Sequence, residues 1–443
     1  MEQIEPRPMR PMRSRLPGAL ALPPIVSPAI VPSPIVRLLE AGLDIAALLF
    51  LPMLVLAPRG IAALVSVAGA IAAGLLVLRP RVAHPPEMRR LVAPAAILIA
   101  LLAWGAFSAL WSIAPLRSLV LAARLAGLFA AGLTLAAAAG RLAAPRRLAL
   151  FFIAGMVLGL ALAGIESATG GALAAPFLKR GFSESRLNQA SVGMAVLVYP
   201  AGALLLARRQ AIMALLLAAA VAVMVCLLVG TAAKIALAAG LPVTVLLYRW
   251  RGQAARAAAL ASVLAILVAP AVFPRLERFP ELLQTADAFK DSASHRLLIW
   301  SFAGDRIAER PLGGWGLDAA RAIPAGREEI RPHQTWMPLH PHNAALQLWL
   351  ELGVPGAGLA ALLTAWLWLR LAKARWPRPF AAAAGASLAS VLIVSLGTYG
   401  MWQEWWLGTL AFALFAVLVM APAARGVPAV EGVQPLAPIR VAE

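Results

Sequence analysis

The chain has 443 residues, of which 61% are hydrophobic and only 13% charged, and its mean hydropathy is +0.82. This composition excludes an ordinary soluble domain and places the chain in a lipid bilayer. The net charge of +19 does not indicate a nucleic-acid partner, because the Lys and Arg residues sit singly between apolar runs. Cys226 is the only cysteine, which excludes a disulfide framework and a cysteine metal site.

The N-terminal residues 1–36 are rich in proline and carry several arginines before any long apolar run. They do not have the pattern of a cleavable signal peptide. We expect a disordered arm in the cytoplasm. Residues 424–443 are expected to form a cytoplasmic tail.

Apolar runs long enough to cross a bilayer follow the arm. A bilayer core of roughly 30 Å needs about 20 apolar residues per helix, and backbone in lipid must be helical to satisfy its own hydrogen bonds. Twelve runs meet this requirement: 39–57, 60–78, 91–111, 117–140, 147–166, 190–207, 211–229, 231–248, 256–273, 353–371, 380–400 and 405–423. The sequence therefore predicts an all-α polytopic membrane protein with about 12 transmembrane helices, nine within residues 37–273 and three within residues 353–423.

The distribution of basic residues predicts the orientation of these helices. If the N-terminus is inside, the cytoplasmic segments collect most of the Lys and Arg residues, and the short outer segments hold few. Because short cytoplasmic loops carry the excess of positive charge, both termini are expected in the cytoplasm. Nine crossings then place residues 274–352 outside, as a large helical loop.

The polar segment 274–341 is far longer than a connection needs, and such loops are usually functional or disordered. Its content argues against disorder. His295–Glu309 has the pattern of an amphipathic helix that ends before Pro311. The apolar residues on or near one side of it are Leu298, Ile299, Phe302 and Ile307. We expect one or two helices folded over the membrane surface.

The densest polar group is the run His340, Pro341, His342, Asn343, which precedes an apolar helical run. Pro341 suits the first position of a helix, which would place His342 in the first turn. There the helix dipole disfavours the imidazolium and keeps a neutral nitrogen that can accept a hydroxyl proton. The alternative is that the two histidines only cap the helix or lie in the headgroup layer, which is the commoner role for a histidine chosen at random.

A second polar group lies in the amphipathic segment, where Arg296 and Trp300 are four residues apart and share a helical face. The planar guanidinium binds phosphate oxygens through a fork and can stabilise the charge that develops on a diphosphate leaving group. Arg296 is therefore a candidate diphosphate ligand. The alternative is an ordinary solvated surface arginine.

Two further groups of polar residues lie at the outer ends of apolar runs. Lys234 lies at the outer end of the eighth run, where an ionisable group is a functional candidate, although snorkelling to the headgroups also explains it. Arg186, Asn188 and Gln189 at the sixth run supply a cation and two amides that can hold phosphate or sugar hydroxyls.

Several catalytic motifs are absent from the sequence: D-x-D, H-E-x-x-H, a Walker loop and G-x-S-x-G. Metal-assisted and nucleotide-driven reactions lose support, so we predict neither a metal nor a cofactor. The free energy for bond formation would then reside in the donor itself.

Two strings resemble the O-antigen ligase and polymerase family: HRLLIWSFAGDRIAERPLGGWG at 295–316 and LHPHNAALQLWLELGVPGAG at 339–358. With the spans and the outer loop, the resemblance covers roughly residues 90–423. It implies a bacterial inner-membrane enzyme of the C-type glycosyltransferase architecture. Such an enzyme moves a glycan from undecaprenyl diphosphate to a periplasmic acceptor such as lipid A core, without a metal and with inversion.

The resemblance also implies a role for each candidate residue. The family's loop histidine before Asn falls on His342 as the base, and its loop arginine falls on Arg296 as a diphosphate ligand. A family arginine of a middle span falls on Lys234, which keeps the charge but loses the fork. An Asn-Arg pair of the family falls on Asn188-Gln189, with Arg186 supplying the charge. The remaining substrate contacts are then expected from Asn188 and Gln189, and also from Asn343 and His340.

Three other functions remain open at this point. A glycan polymerase would use another lipid-linked chain as acceptor, and the sequence does not separate it from a ligase. A polytopic transporter or flippase would place polar groups at the midplane of the bundle. A structural membrane subunit explains the spans but leaves the His-Pro-His-Asn run without a role.

Overall fold

The computed structural model describes residues 33–78, 86–177 and 182–424. The first seven α-helices are α1 (Pro34–Leu56), α2 (Ile61–Leu78), α3 (Pro86–Phe107), α4 (Pro115–Ala139), α5 (Pro145–Ala168), α6 (Asn188–Ala207) and α7 (Ala211–Leu227). The next seven are α8 (Thr231–Leu267), α9 (Ala269–Val272), α10 (Pro280–Phe289), α11 (Asp291–Glu309), α12 (Ala344–Ala372), α13 (Arg378–Gly397) and α14 (Glu404–Ala424). Two short strands, β1 (Glu329–Arg331) and β2 (Gln334–Thr335), pair antiparallel. The protein is thus an all-α polytopic membrane protein, as predicted.

Most of the predicted N-terminal arm and C-terminal tail lies outside the described residues. The described part begins with Ser33, whose hydroxyl caps α1 by accepting the N–H of Val36. The first helix therefore starts at Pro34, five residues before the predicted start of the first span. The difference arises because proline is favoured at the first helical position.

Nine of the described helical segments are long and apolar enough to cross a membrane, and two shorter apolar helices, Ala211–Leu227 and Glu404–Met420, accompany them. The eighth and ninth predicted runs are joined in the single helix α8, whose 37 residues contain a kink at Trp250 (φ −133°, ψ 46°). A straight helix of this length would measure about 55 Å, far more than a bilayer core of about 30 Å.

The direction of α8 reverses at this kink. Before it, Ser390 Oγ donates a hydrogen bond to Ala236 O (2.9 Å), and Leu247 lies against Gly385. The residue numbers rise along α8 while they fall along α13, so this half is antiparallel to α13.

After the kink, Arg251 donates to Trp376 O (2.8 Å) and Trp349 Nε1 donates to Ile266 O (2.9 Å). The second half is therefore antiparallel to α12. With the two halves of α8 counted separately, the described residues contain twelve apolar helical segments, the number of spans predicted.

The centre of the bundle is α6, in which residues 190–198 are all buried. Neighbouring helices approach closely where small residues meet, because a Cβ on Gly155 of α5 would lie 2.5 Å from Leu48 O of α1. The rings of Phe50 and Phe412 stack with centroids 3.8 Å apart. The membrane bundle is held by this close packing.

The long segment between α8 and α12 is folded, as predicted, and has its own apolar cluster. Ile299, Phe302 and Ile307 of α11 are buried and pack with Trp315 and with the first turns of α12. The predicted amphipathic helix is observed as α11, and α10 precedes it.

A break in α12 at Gly353 (φ +60°, ψ −156°) fixes where this loop joins the bundle. The N–H groups of Trp315 and Gly316 donate to the carbonyls of Leu350 and Glu351 (2.9 and 2.8 Å), and Val354 N donates back to Pro311 O (3.0 Å). The segment 311–316 therefore pairs with the backbone of α12 at the break.

Candidate active site

The histidine run does not begin the helix in the predicted way. Asn343 is the N-cap of α12, with Oδ1 accepting the N–H of Leu346 at 3.1 Å. Pro341 is therefore not the first helical residue, and His342 precedes the helix with φ +54°. The prediction was wrong because the Asn343 side chain satisfies a free helix N–H, while a left-handed residue stops a helix from extending further back.

The imidazole of His342 is fixed in one tautomer by the backbone of another segment. Its Nδ1 lies 2.6 Å from Thr398 O, and a carbonyl can only accept, so Nδ1 carries the proton. Burial lowers the pKa of His342 to about 4, although the Thr398 carbonyl acts in the opposite direction. The ring is thus neutral at physiological pH, with the lone pair of Nε2 available.

His340 lies behind His342 and supports it. The N–H of His342 donates to Nδ1 of His340 (3.1 Å), and the two rings meet edge to face at 4.3 Å. Nε2 of His340 is 3.3 Å from the Gln403 amide. Burial is the main cause of a His340 pKa lowered to about 3, so a second neutral imidazole backs the first.

Arg296 projects from α11 toward the same place. It makes no hydrogen bond or ion pair to the described residues, and its guanidinium is close enough to Tyr399 and to both histidines for their charges to interact. Burial lowers the pKa of Arg296 from its ordinary value. The site therefore contains a half-buried cation that no carboxylate of the described chain neutralises.

Two hydrogen bonds hold α11 in place, one to the histidine run and one to β2. Trp300 Nε1 donates to Pro341 O (2.9 Å), and His295 Nε2 donates to Thr335 O (2.8 Å). Because these residues flank Arg296 on α11, the two motifs of the sequence meet in one cluster.

The amides of the sixth run lie beside the start of α8. A Cβ on Gly230, the N-cap of α8, would be 3.0 Å from Asn188 Oδ1. Asn188 Oδ1 and Gln189 Oε1 are buried without a hydrogen-bond partner among the described residues. Lys234 stands in the first turn of α8, half-buried, and Arg186 is half-buried in the 3₁₀ turn before α6.

Lys234, Arg186 and the two amides lie at the same end of the bundle as Arg296 and the histidine run. The helices α6 and α8 start out parallel, because Tyr199 Oη donates to Leu237 O (2.6 Å) while Asn188 adjoins Gly230. The first half of α8 is antiparallel to α13, so both N-termini lie at the end of α13 that carries Thr398. No hydrogen bond or ion pair joins the two groups within the described ranges.

Sequence reasoning missed the residues of the connector 398–403 between α13 and α14. Thr398 fixes the tautomer of His342, Tyr399 lies near enough to Arg296 for their charges to interact, and Gln403 contacts His340. Their only signal is a short polar run between the last two apolar runs. No spacing rule links it to the loop.

Glu351 was also missed, and it ties the parts of the site together. Although fully buried, its carboxylate accepts hydrogen bonds from Gln347 Nε2 (3.0 Å), Trp402 Nε1 (2.6 Å) and Asp318 N (2.7 Å). It thus connects α12, the connector and the segment after Gly316. Its role is to position these backbones.

A further observation concerns metals. Within the described part of the chain, no group of three or more His, Cys, Asp or Glu residues could hold a metal ion.

The fold and the site define a polytopic membrane protein with a neutral imidazole and an unpaired guanidinium at one end of its bundle. Residues 181–361, which include every candidate residue named from the sequence, match the family model described as O-antigen ligase. This segment is therefore similar to the O-antigen ligase family.

Curated relatives agree with this assignment. The chain is 32% identical over 155 residues to a Rickettsia conorii protein named "Putative polysaccharide ligase", covering 34% of this chain and 37% of that one. Proteins with the same kind of name match at 31% identity in Rickettsia felis (33% and 36% covered) and at 34% in Rickettsia prowazekii (27% and 30% covered). The chain thus matches about a third of the length of these relatives. No solved structure matches.

Proposed function

We propose that the protein is an O-antigen ligase-like glycosyltransferase that moves a glycan from undecaprenyl diphosphate to an acceptor such as lipid A core. The observation that carries the proposal is the cluster of Arg296, an unpaired cation, with His342, a neutral imidazole whose Nε2 is free. A glycosyl transfer from a lipid diphosphate needs both an anion ligand and a proton acceptor.

The donor diphosphate is bound by Arg296, with Lys234 and Arg186 contributing further positive charge. None of the three makes an ion pair with the described residues, so each has charge available for phosphate oxygens. The unpartnered amide oxygens of Asn188 and Gln189 can accept hydrogen bonds from hydroxyls of the first sugar. Fixed cations in a partly buried site stabilise the charge that develops on the leaving group.

His342 accepts the proton of the acceptor hydroxyl at Nε2. The hydroxyl oxygen bonds to the anomeric carbon as the bond from that carbon to the diphosphate oxygen breaks, and attack from the opposite face inverts the centre. The lipid diphosphate leaves with the electron pair of the broken bond. His340 supports the base, and Asn343 has a buried Nδ2 without a described partner that can bind a sugar oxygen.

The proposal includes a location. The positive-inside distribution favours a bacterial inner membrane with both termini in the cytoplasm and the loop 274–352 in the periplasm. The resemblance favours the C-type glycosyltransferase architecture. The activated donor supplies the free energy, so the proposed reaction requires neither a metal nor a cofactor.

A polymerase that extends another lipid-linked chain is the alternative, because the same base and cations would serve that acceptor. A transporter is less well supported: the cluster lies in the loop and at the ends of helices, whereas a transporter site is expected near the midplane.

The test is complementation of a Gram-negative host that lacks its own ligase, followed by examination of lipopolysaccharide for attached O-antigen. We expect attachment with the wild-type chain and none with His342→Ala or Arg296→Ala. Matched controls are His333→Ala and Arg278→Ala, exposed residues of the same loop, which should retain activity at equal membrane levels.

The outcomes separate the alternatives. Longer lipid-linked glycan without attachment would indicate a polymerase. Full activity of His342→Ala would refute its role as the base.

A further inference from the structure

Tyr399 occupies a fixed position in the connector 398–403. Its ring meets Trp405 edge to face, with centroids 4.6 Å apart and planes at 90°, and lies 6.1 Å from the ring of Trp406. The neighbouring Thr398 carbonyl is held by His342. Because the ring is packed and its backbone is tied to the base, the direction of its hydroxyl is set by the fold.

The hydroxyl of Tyr399 is buried and has no hydrogen-bond partner among the described residues. A buried hydroxyl left in this state is costly, so most such groups are satisfied in folded proteins. The other tyrosines do not share this state: Tyr199 donates to Leu237 O, and Tyr248 is 46% exposed. Tyr399 therefore has an unused donor aimed into a buried site.

The guanidinium of Arg296 is close enough to Tyr399 for their charges to interact, and the adjacent Thr398 carbonyl lies 2.6 Å from His342 Nδ1. Two donors in one partly buried cluster, where no described carboxylate pairs with either of them, favour an anionic ligand beside them. Burial raises the pKa of Tyr399 well above its usual value, so the phenol keeps its proton and remains a donor at neutral pH.

We propose that Tyr399 is a substrate-contacting residue whose hydroxyl donates a hydrogen bond to the diphosphate of the lipid-linked donor, beside Arg296. This inference rests on the proposed function, and it adds a ligand from the connector between the last two helices to the cations of the loop, of the turn before α6 and of α8.

The test measures binding of farnesyl diphosphate and of farnesol to the full chain in lipid nanodiscs. A hydrogen bond to a charged group is worth about 1.5–3 kcal/mol, so Tyr399→Phe should weaken farnesyl diphosphate binding about tenfold or more. Farnesol binding should not change, because it has no diphosphate. Tyr248→Phe and Tyr199→Phe are the matched controls and should bind both probes as the wild type does.

A second measurement excludes a general disturbance. Tyr399→Phe removes no hydrogen bond within the described chain, so its thermal unfolding temperature should match that of the wild type. In combination with Arg296→Ala, the loss should be less than the product of the single losses, since both residues act on one ligand.

Three results would overturn the inference. Wild-type affinity in Tyr399→Phe, or equal weakening of both probes, would refute a contact with the diphosphate while leaving the proposed function intact. Failure of the wild-type chain to bind farnesyl diphosphate would refute the proposed function and the inference together.

Discussion

The most informative single residue is His342, because its protonation state follows from its surroundings. Burial lowers its pKa to about 4, whereas an unperturbed histidine has a pKa of about 6.5. A base must be unprotonated, so we expect kcat/KM for glycan transfer to stay level from pH 8 to about 5 and to fall as the pH drops through about 4. The measurement is the initial rate of transfer in nanodiscs against pH. A decline that begins near pH 6.5 would contradict the assigned environment.

Lys234 and Arg296 differ in the geometry that they offer to a phosphate. Arg296→Lys loses the bidentate fork and should lower the apparent affinity for the donor about tenfold, a loss equivalent to one charge-assisted hydrogen bond. Lys234→Arg gains a fork and should retain or raise donor affinity, while Lys234→Ala should lower it. Donor titrations at a fixed acceptor concentration measure this, with Arg278→Lys as the control. An inactive Lys234→Arg would show that the site accepts only the smaller ammonium group.

At this scale the sequence identifies only part of the site. Arg296 and His342 can be found because each stands in a recognisable string. Tyr399 and Thr398 cannot, because their relation to the loop arises from the packing of α13 against α8 and is not visible in any spacing. Even the state of His342 has another cause than expected: burial keeps it neutral although the Thr398 carbonyl raises its pKa, and it does not lie in the first turn of a helix.

Among the elements, α12 depends on its break at Gly353. This residue has φ +60°, and a Cβ there would collide with Leu312 O. Gly353→Ala should therefore destabilise the protein by roughly 1–3 kcal/mol from the backbone conformation alone. Thermal unfolding in detergent measures the effect. Gly358→Ala, on the same helix with open space around it, should unfold like the wild type, and equal stability of the two variants would contradict the observed backbone.

The carboxylate of Glu351 accepts hydrogen bonds from the three segments that meet near this break. Glu351→Ala leaves Trp402, Gln347 and Asp318 N without their acceptor, at about 1–3 kcal/mol for each buried donor. We expect less folded protein in the membrane and, in the fraction that folds, slower transfer with a changed pH profile, because Trp402 belongs to the connector that orients His342. Glu309→Ala, an exposed loop carboxylate, is the control. A Glu351→Ala variant with normal yield and rate would show that the connector is held by other contacts.

Helix existence was easier to predict than helix boundaries. Hydropathy indicates each crossing because lipid requires long apolar helices. It does not reveal that residues 249–255 stay helical on both sides of a kink, since no proline interrupts them. The break at Gly353, by contrast, coincides with the predicted start of the tenth span.

For the molecule as a whole, the twelve crossings make a prediction about sidedness. In a Cys226→Ser background, Glu281→Cys in the outer loop should react with a membrane-impermeant thiol reagent added to spheroplasts. Gln253→Cys, an exposed position just after the kink of α8, should react only after lysis, because the proposed orientation places it on the cytoplasmic side. Labelling of Gln253→Cys in intact spheroplasts would show that α8 does not cross twice.

The hydrogen bond between Thr398 and His342 also has a consequence for the order in which the protein is synthesised. His342 leaves the ribosome more than fifty residues before Thr398, so for that interval the nascent chain carries both recognisable strings but no oriented base. Only when α13 and α14 have entered the membrane can Trp402 reach Glu351 and bring the carbonyl to the imidazole. A product cut short after α12 would therefore retain both strings and lack the oriented imidazole, so under the proposed mechanism an unfinished chain could not transfer glycan while it is still being synthesised.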